Sequence, residues 1–402
     1  MRILYHHRTQ GRGAEGNHIV SIVTALRALG HQVDVLSPPG VDPFDPASTI
    51  PVDKARTQTR GWGSLWKLMS RKLPNWLFEI AELVYNVPAY FRLRRALARG
   101  NYDLLFERYA FYLVAGAVAA KHAGVPFLLE VNEVNGIPNR ARRQSFVKLC
   151  GAAERFIFRR CTVVHAVSSW LGEQAVGAGL DRSRLVVVPN GFEIARLKLG
   201  RSRDDMRRQL GLDGGIVIGF AGWFDHWDRL DLLVDLFEEL RREHATLRLC
   251  LVGAGPAAEE LHARVAKSPF AGDIVLTGAV PRQQVYDYIQ VFDIGVLPHS
   301  NVFGSPIVMF EMMGLSIPLV LPRLPPIEDV HRDGETALTF PPLDFPACRA
   351  AIARYLADRT LRELLAARAR DLLISRHTWR DTAARILASL PPPAPSLARP
   401  LA

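Results

Sequence analysis

The chain has 402 residues, 49% apolar and 22% charged, the composition of an ordinary folded protein with room for two or three cores. That profile excludes a disordered, collagen-like or small disulfide-stapled chain. Fifty Lys and Arg against forty Asp and Glu leave a net charge of +10, which points to an anionic partner: nucleic acid, a membrane surface or a phosphorylated substrate.

Residues 2–5 predict a first strand, 17–29 an amphipathic helix closed by Gly30, and 32–36 a second strand, together one βαβ unit. The longest apolar stretch, 110–120, falls short of the ~18 residues that span a bilayer, and Met1–Tyr5 leads into polar sequence without a signal-peptide core. Further strands are predicted at 104–106, 126–131, 163–167 and 185–188. Pro189-Asn190-Gly191 and the polar run after it read as a linker, beyond which strands at 216–221, 247–252, 274–277, 293–297 and 317–321 alternate with helical windows such as 229–242 and 257–267. Residues 346–374 predict a pair of helices and 375–389 another, before a Pro/Ala/Ser tail from Pro391. The class is α/β, with parallel sheets covered by helices in two Rossmann-like halves. The expected division is 1–193, 194–374, a helix within 375–390 and a tail of 391–402. Cys150, Cys161, Cys250 and Cys348 form no C-x-x-C pair and have no His at zinc spacing, so no metal is expected and a cytoplasmic setting fits.

Gly11-Arg12-Gly13-Ala14-Glu15-Gly16 matches G-x-G-x-x-G between a strand and a helix, a pattern shared by dinucleotide folds and by plain tight turns. A nicotinamide enzyme also needs an acid at the end of the second strand, where this chain has Leu36-Ser37-Pro38. The segment 301–311 reads as a loop entering a helix, with Ser305 as N-cap and Pro306 at the first helical position. Amides there suit an anion, and Glu311 suits a vicinal diol such as ribose. The alternative is a buried amphipathic helix carrying a solvated Glu311.

These pieces occur in an order, together with His31-Gln32-Val33-Asp34-Val35, Val187-Val188-Pro189-Asn190-Gly191, Gly219-Phe220-Ala221-Gly222, Leu251-Val252-Gly253-Ala254-Gly255, Leu276-Thr277-Gly278 and Asp293-Ile294-Gly295-Val296-Leu297-Pro298. In that order and spacing the chain resembles the family 4 glycosyltransferases, retaining nucleotide-sugar enzymes of the GT-B fold. The resemblance implies a nucleoside-diphosphate sugar in a central cleft, a glycan or lipid-linked acceptor on the N-terminal domain, and no cofactor beyond the donor. By the same resemblance Glu311 holds the ribose, and Gly304, Ser305 and Pro306 face the donor sugar. Ile307 and Val308 then meet the diphosphate, with Gly11 and Gly13 approaching across the cleft and Gly222 and the Gly278 turn bordering the site.

The family's basic pair after the first strand of the second domain is altered here to Gly222-Trp223-Phe224-Asp225-His226-Trp227-Asp228-Arg229, and Val308 stands where Lys is common. His226 and Arg229 become the candidate catalytic cations, with Arg12 and Arg282 as further substitutes; an altered donor, or a catalytically silent partner subunit, is the alternative. Asp225 and Asp228 share a helical face, which suits a metal less well than acids at a helix start. Glu130, Asn132 and Glu133, after a first-domain strand, are the candidates to orient the acceptor, with Glu130 in a catalytic role. Arg140, Arg142, Arg143 and Lys148 form a basic cluster near them.

Residues 51–110 interleave Trp62, Trp66, Leu68, Met69, Leu73, Trp76, Leu77 and Phe78 with Lys67, Arg71 and Lys72. That mixture suits a helix lying on an anionic membrane at its cytoplasmic face, or a helix packed on its own domain. No helix-turn-helix or RNA-recognition signature accompanies the charge, so nucleic acid is not an expected partner.

Overall fold

The computed structural model describes residues 1–11, 13–45, 74–137 and 144–392. Arg12, Arg140, Arg142, Arg143, the aromatic and basic residues of 62–73 and the tail from 393 lie outside the described residues.

Two parallel six-stranded sheets organise the chain. The first contains β1 (Arg2–His6), β2 (Gln32–Leu36), β3 (Leu104–Arg108), β4 (Phe127–Val131), β5 (Val163–Ala166) and β6 (Leu185–Val187), in the order β2-β1-β3-β4-β5-β6. The second contains β7 (Ile216–Trp223), β8 (Leu247–Ala254), β9 (Ile274–Leu276), β10 (Ile294–Val296), β11 (Leu319–Pro322) and β12 (Leu338–Phe340), in the order β12-β11-β10-β7-β8-β9. β3 and β4 are buried along their whole length, as expected for parallel strands covered on both faces. β12 escapes the sequence reading because its alternating run, between Gly334 and Pro341, is only three residues long.

Helices form where an apolar stripe meets a cap. Leu230–Glu243 buries Leu230, Leu233, Val234, Phe237 and Leu240 at i, i+3, i+4, i+7 spacing against the second sheet. Trp379–Ala388 starts with a capping box between Thr378 and Asp381, then buries Trp379, Ala383 and Ile386 in the first sheet's core beside Ile19, Ile22 and Leu26 of the helix Gly13–Ala28. The end of the chain therefore crosses back to the N-terminal domain.

Gly16 has a steric requirement in the G-x-G-x-x-G turn: a Cβ there would lie 2.2 Å from the Gly11 carbonyl oxygen. Gly11 and Gly13 adopt positive φ values of 65° and 62°. The fingerprint thus meets the turn's own geometry, whatever else it binds. Asp34, the acid nearest the dinucleotide position, accepts hydrogen bonds from Tyr102 at 2.7 Å and Arg2 at 3.1 Å.

Hydrogen bonds fasten the domains together. The Asn190 backbone N–H donates to the Ser305 hydroxyl at 3.1 Å, and the Asn190 side-chain amide donates to the Ser305 carbonyl at 2.8 Å. Ser168 Oγ donates to the Phe303 carbonyl at 2.6 Å, and Arg196 donates to Ser21 Oγ at 2.9 Å. Replacing Asn190 by Ala strands a buried carbonyl, which costs about 1–3 kcal/mol. Asn190→Ala is expected to lower the midpoint of chemical unfolding accordingly; an unchanged midpoint would show that the junction carries no stability.

Candidate functional site: a cleft between two sheets

Open α/β sheets place ligands beyond the carboxyl ends of their strands. A cavity of about 740 Å³ lies there on the first sheet, lined by Arg8 and Thr9 after β1, Arg108 and Tyr109 at the end of β3, and Asn132 and Glu133 after β4. Phe78, Tyr85 and Phe111 add aromatic walls, and Phe303 closes the cavity from the loop after β10 in the other domain.

Glu130 does not reach this cavity as the sequence reading expects, because it is fully buried. Its Oε1 accepts from Arg108 at 2.7 Å and from the Asn132 side-chain amide at 2.6 Å. Burial opposes ionisation of Glu130, but the facing His18, the Arg108 guanidinium, His165 and the Asn132 hydrogen bond together more than offset it, and the carboxyl stays below its ordinary range. His18, 3.6 Å away, is pushed down to about 4 by burial and is neutral at pH 7. Glu130 is therefore a positioning residue: it orients Arg108 and Asn132, both of which line the cavity. Sequence reasoning missed Arg108, whose only signal was its place at the carboxyl end of a strand.

On the second domain, the loop 301–306 leads into the helix Ile307–Gly314. Asn301 Oδ1 accepts from the Phe303 and Gly304 amides and shapes the loop. Ser305 is not the N-cap; its hydroxyl is taken by Asn190, and Pro306 precedes the helix with an extended ψ of 112° and no side-chain cap. The first amides, from Ile307 and Val308, are left for a ligand or solvent, as at any helix start.

Glu311 is 4% exposed and accepts from Arg282 at 2.5 Å, while Arg282 also reaches Tyr286 Oη at 3.0 Å. Burial works against the Arg282 charge, but Glu311 holds its pKa above the ordinary value. Burial, then the Glu311 charge, pushes Tyr286 up to about 12. Arg282, Tyr286 and Ile307 face Asn17 and Ser21 of the N-terminal domain across a cavity of only about 30 Å³. The solvated-Glu alternative does not hold for Glu311.

The other expected cations are engaged elsewhere. His226 lies 3.5 Å from Glu260 on an exposed surface, and Arg229 pairs with Asp231 at 3.0 Å above the Phe345 ring. The structure does not gather His226, Arg229 and Glu130 into one constellation. Asp225 and Asp228 each accept the other's backbone N–H in a capping box, so their carboxylates serve the turn. Among the described residues no group of three His, Cys, Asp or Glu is placed to hold an ion. Gly222 lies at the carboxyl end of β7 and Gly278 just beyond β9; a Cβ on Gly253 of β8 would strike the Gly222 carbonyl at 1.9 Å, so β7 and β8 meet closely there.

Comparison with known proteins agrees with this layout. Residues 15–196 match the model described as Glycosyltransferase Family 4, and residues 215–358 match Glycosyl transferases group 1. The chain is 24% identical over 390 residues to a phosphatidyl-myo-inositol mannosyltransferase of Mycobacterium leprae, covering 93% of this chain and 92% of that protein. It is 23% identical over 394 residues to a glycogen synthase of Mycobacterium tuberculosis, covering 92% and 89%. Other curated relatives align over only 45 to 58% of their own length, so the chain spans about half of them. The fold is shared with HepE of Anabaena, solved in complex with UDP, at a TM-score of 0.70 and 17% identity over 97% of this chain and 99% of that one. With both domains matched in sequence and the two-sheet architecture matched in space, the chain belongs to glycosyltransferase family 4 and has the GT-B fold.

Proposed function

We propose that the chain transfers a sugar from a nucleoside-diphosphate sugar, held by the C-terminal domain, to a glycan or lipid-linked acceptor in the N-terminal cavity, with retention of configuration. The observation that carries this reading is Phe303: the loop expected to face the donor sugar is also a wall of the acceptor cavity. In the reaction the sugar C1–O bond to the diphosphate breaks and a C1–O bond to the acceptor hydroxyl forms on the same face. The acceptor proton passes to the departing phosphate oxygen.

The chain's own residues divide the remaining work. Glu311 accepts the ribose hydroxyls and must release Arg282 to do so. Arg282, freed within the cleft, supplies cationic charge that Asp228 and Val308 do not, where negative charge develops on the leaving diphosphate. Arg108, held by Glu130, and Asn132 orient the acceptor, and the aromatic walls offer faces to a sugar ring. HepE is solved with UDP and with UDP-glucose, which makes UDP the first nucleotide to test. The Mycobacterium leprae relative is named for phosphatidyl-myo-inositol, which supports a lipid-linked acceptor. The second reading, a silent partner subunit, draws on Asp228, a buried acid where the family's resemblance places a base.

Three outcomes follow from these assignments. In titration calorimetry against UDP, GDP and ADP, one nucleotide is expected to bind, and Glu311→Ala to weaken it roughly 10–100-fold by removing charge-assisted bonds; no binding to the intact wild type would favour the silent subunit. Arg282→Ala is expected to weaken UDP roughly tenfold while leaving uridine unchanged or tighter, because only the diphosphate needs the cation. Equal losses for both ligands would contradict that role.

Burial raises Asp228 to about 7, and the nearby Asp225 charge adds to it. Its ionisation therefore destabilises the fold as pH rises from the ordinary carboxylate range through about 7. Asp228→Asn is expected to stabilise the protein by roughly 1–3 kcal/mol at pH 8, with the gain vanishing near pH 4, in thermal unfolding across pH. A gain independent of pH would contradict the raised acid.

A further inference from the structure

We propose that the helices Asn75–Val84 and Asn86–Gly100 present a docking face for an anionic lipid bilayer, placing the acceptor cavity beside the membrane; this deepens the acceptor reading above and rests on it. Eight of the fourteen exposed large hydrophobic side chains among the described residues fall between Trp76 and Leu149. Five of them, Trp76, Ile80, Val84, Val87 and Phe91, recur at spacings of four, four, three and four, which lines them along one side of two consecutive helices. They are 39–61% exposed. Such a run on a water-facing surface costs free energy unless something covers it.

Charge identifies the cover. The stripe continues into Arg94, Arg95 and Arg99, all exposed, and no acid shares its outward side. The two acids of these helices point elsewhere. Glu79 is buried, accepting from Tyr112 Oη and the Ser145 and Phe146 amides, while Glu82 pairs with Arg8 at the cavity. The Glu79 bonds also bring exposed Phe146, Val147 and Leu149, with Lys148 among them, beside the stripe. Apolar anchors rimmed by cations of one sign match anionic headgroups over an acyl layer. The same rim repels a second copy of itself.

The helix Asn75–Val84 connects this face to function. Phe78, Ala81 and Glu82, with Tyr85 just beyond, line the acceptor cavity, whereas Trp76, Ile80 and Val84 lie on the other side. One helix, ~10 Å across, thus separates the cavity from the proposed bilayer surface. An acceptor whose sugar or phosphate emerges at headgroup level reaches the cavity without leaving its membrane.

The test is co-sedimentation of the full chain with neutral phosphatidylcholine vesicles and with vesicles containing about a third phosphatidylglycerol, at low and high salt. Wild type is expected to bind the anionic vesicles, and to lose them as salt rises. Trp76→Gln/Phe91→Gln and Arg94→Glu/Arg95→Glu are each expected to weaken partitioning about tenfold or more, with melting temperature and nucleotide binding unchanged. Absence of vesicle binding would overturn the docking face without touching the donor site. So would binding unaffected by both variants, which would assign it to another segment such as 46–73. A concentration-dependent dimer abolished by Phe91→Gln, with no vesicle binding, would make the face a self-association surface and also overturn the proposal.

Discussion

The two hydrogen bonds from Asn190 to Ser305 tie the domain junction to the loop that enters the helix Ile307–Gly314. Ser305 belongs to the loop that ends at Ile307, so the junction segment holds that loop directly rather than through the second sheet. Through Phe303 the same loop walls the cavity of the first domain, and Ser168 grips the Phe303 carbonyl. The 301–306 loop, the first-domain cavity and the domain junction are therefore joined by direct contacts.

Both halves of the cleft treat charge in the same way. Each holds an arginine against a buried carboxylate, Arg108 on Glu130 and Arg282 on Glu311. In the first domain the pair is nearly sealed and its value lies in orientation, with Asn132 tied to the same oxygen. In the second, the Arg282 side chain retains 32% exposure over Glu311, which lies in the second turn of the helix Ile307–Gly314, and it is Arg282's place that the proposed ribose would take. On the reading proposed above, a ribose that displaced Arg282 from Glu311 would free a cation where Asp228 and Val308 supply none. A buried pair of this kind adds little net stability, so its place in the cleft argues for function more strongly than for folding.

Much of this was legible in the sequence, and the misses have physical causes. Eleven of the twelve strands are predicted within about two residues at their ends, because buried parallel strands are short apolar runs between turn residues. The helix at Glu311 and its family resemblance follow from motif order. Glu130 misled because a strand position does not reveal which face its side chain takes, and this one turns inward to Arg108. Ser305 misled for a related reason: a hydroxyl before a helix is a good cap until a long-range donor, Asn190, takes it first. His226 and Arg229 have the right charge, but Glu260 and Asp231 claim them, which only the folded chain reveals. Of the stripe from Trp76 to Phe91 the sequence reading singled out only Trp76; that Ile80, Val84, Val87 and Phe91 face solvent and not the core required the fold.

The central claim is that a nucleoside diphosphate closes a unit made of the 301–311 segment, Arg282 and the first helix. Hydrogen–deuterium exchange of the full chain with and without saturating UDP tests it most directly. The account predicts added protection at Gly304–Glu311 and around Arg282–Tyr286, accompanied by protection at Gly13–Ser21 across the cleft, as the bound state orders both sides together. Protection confined to the C-terminal domain, or found only at a remote surface, would contradict the claim that donor loop and domain junction act as one.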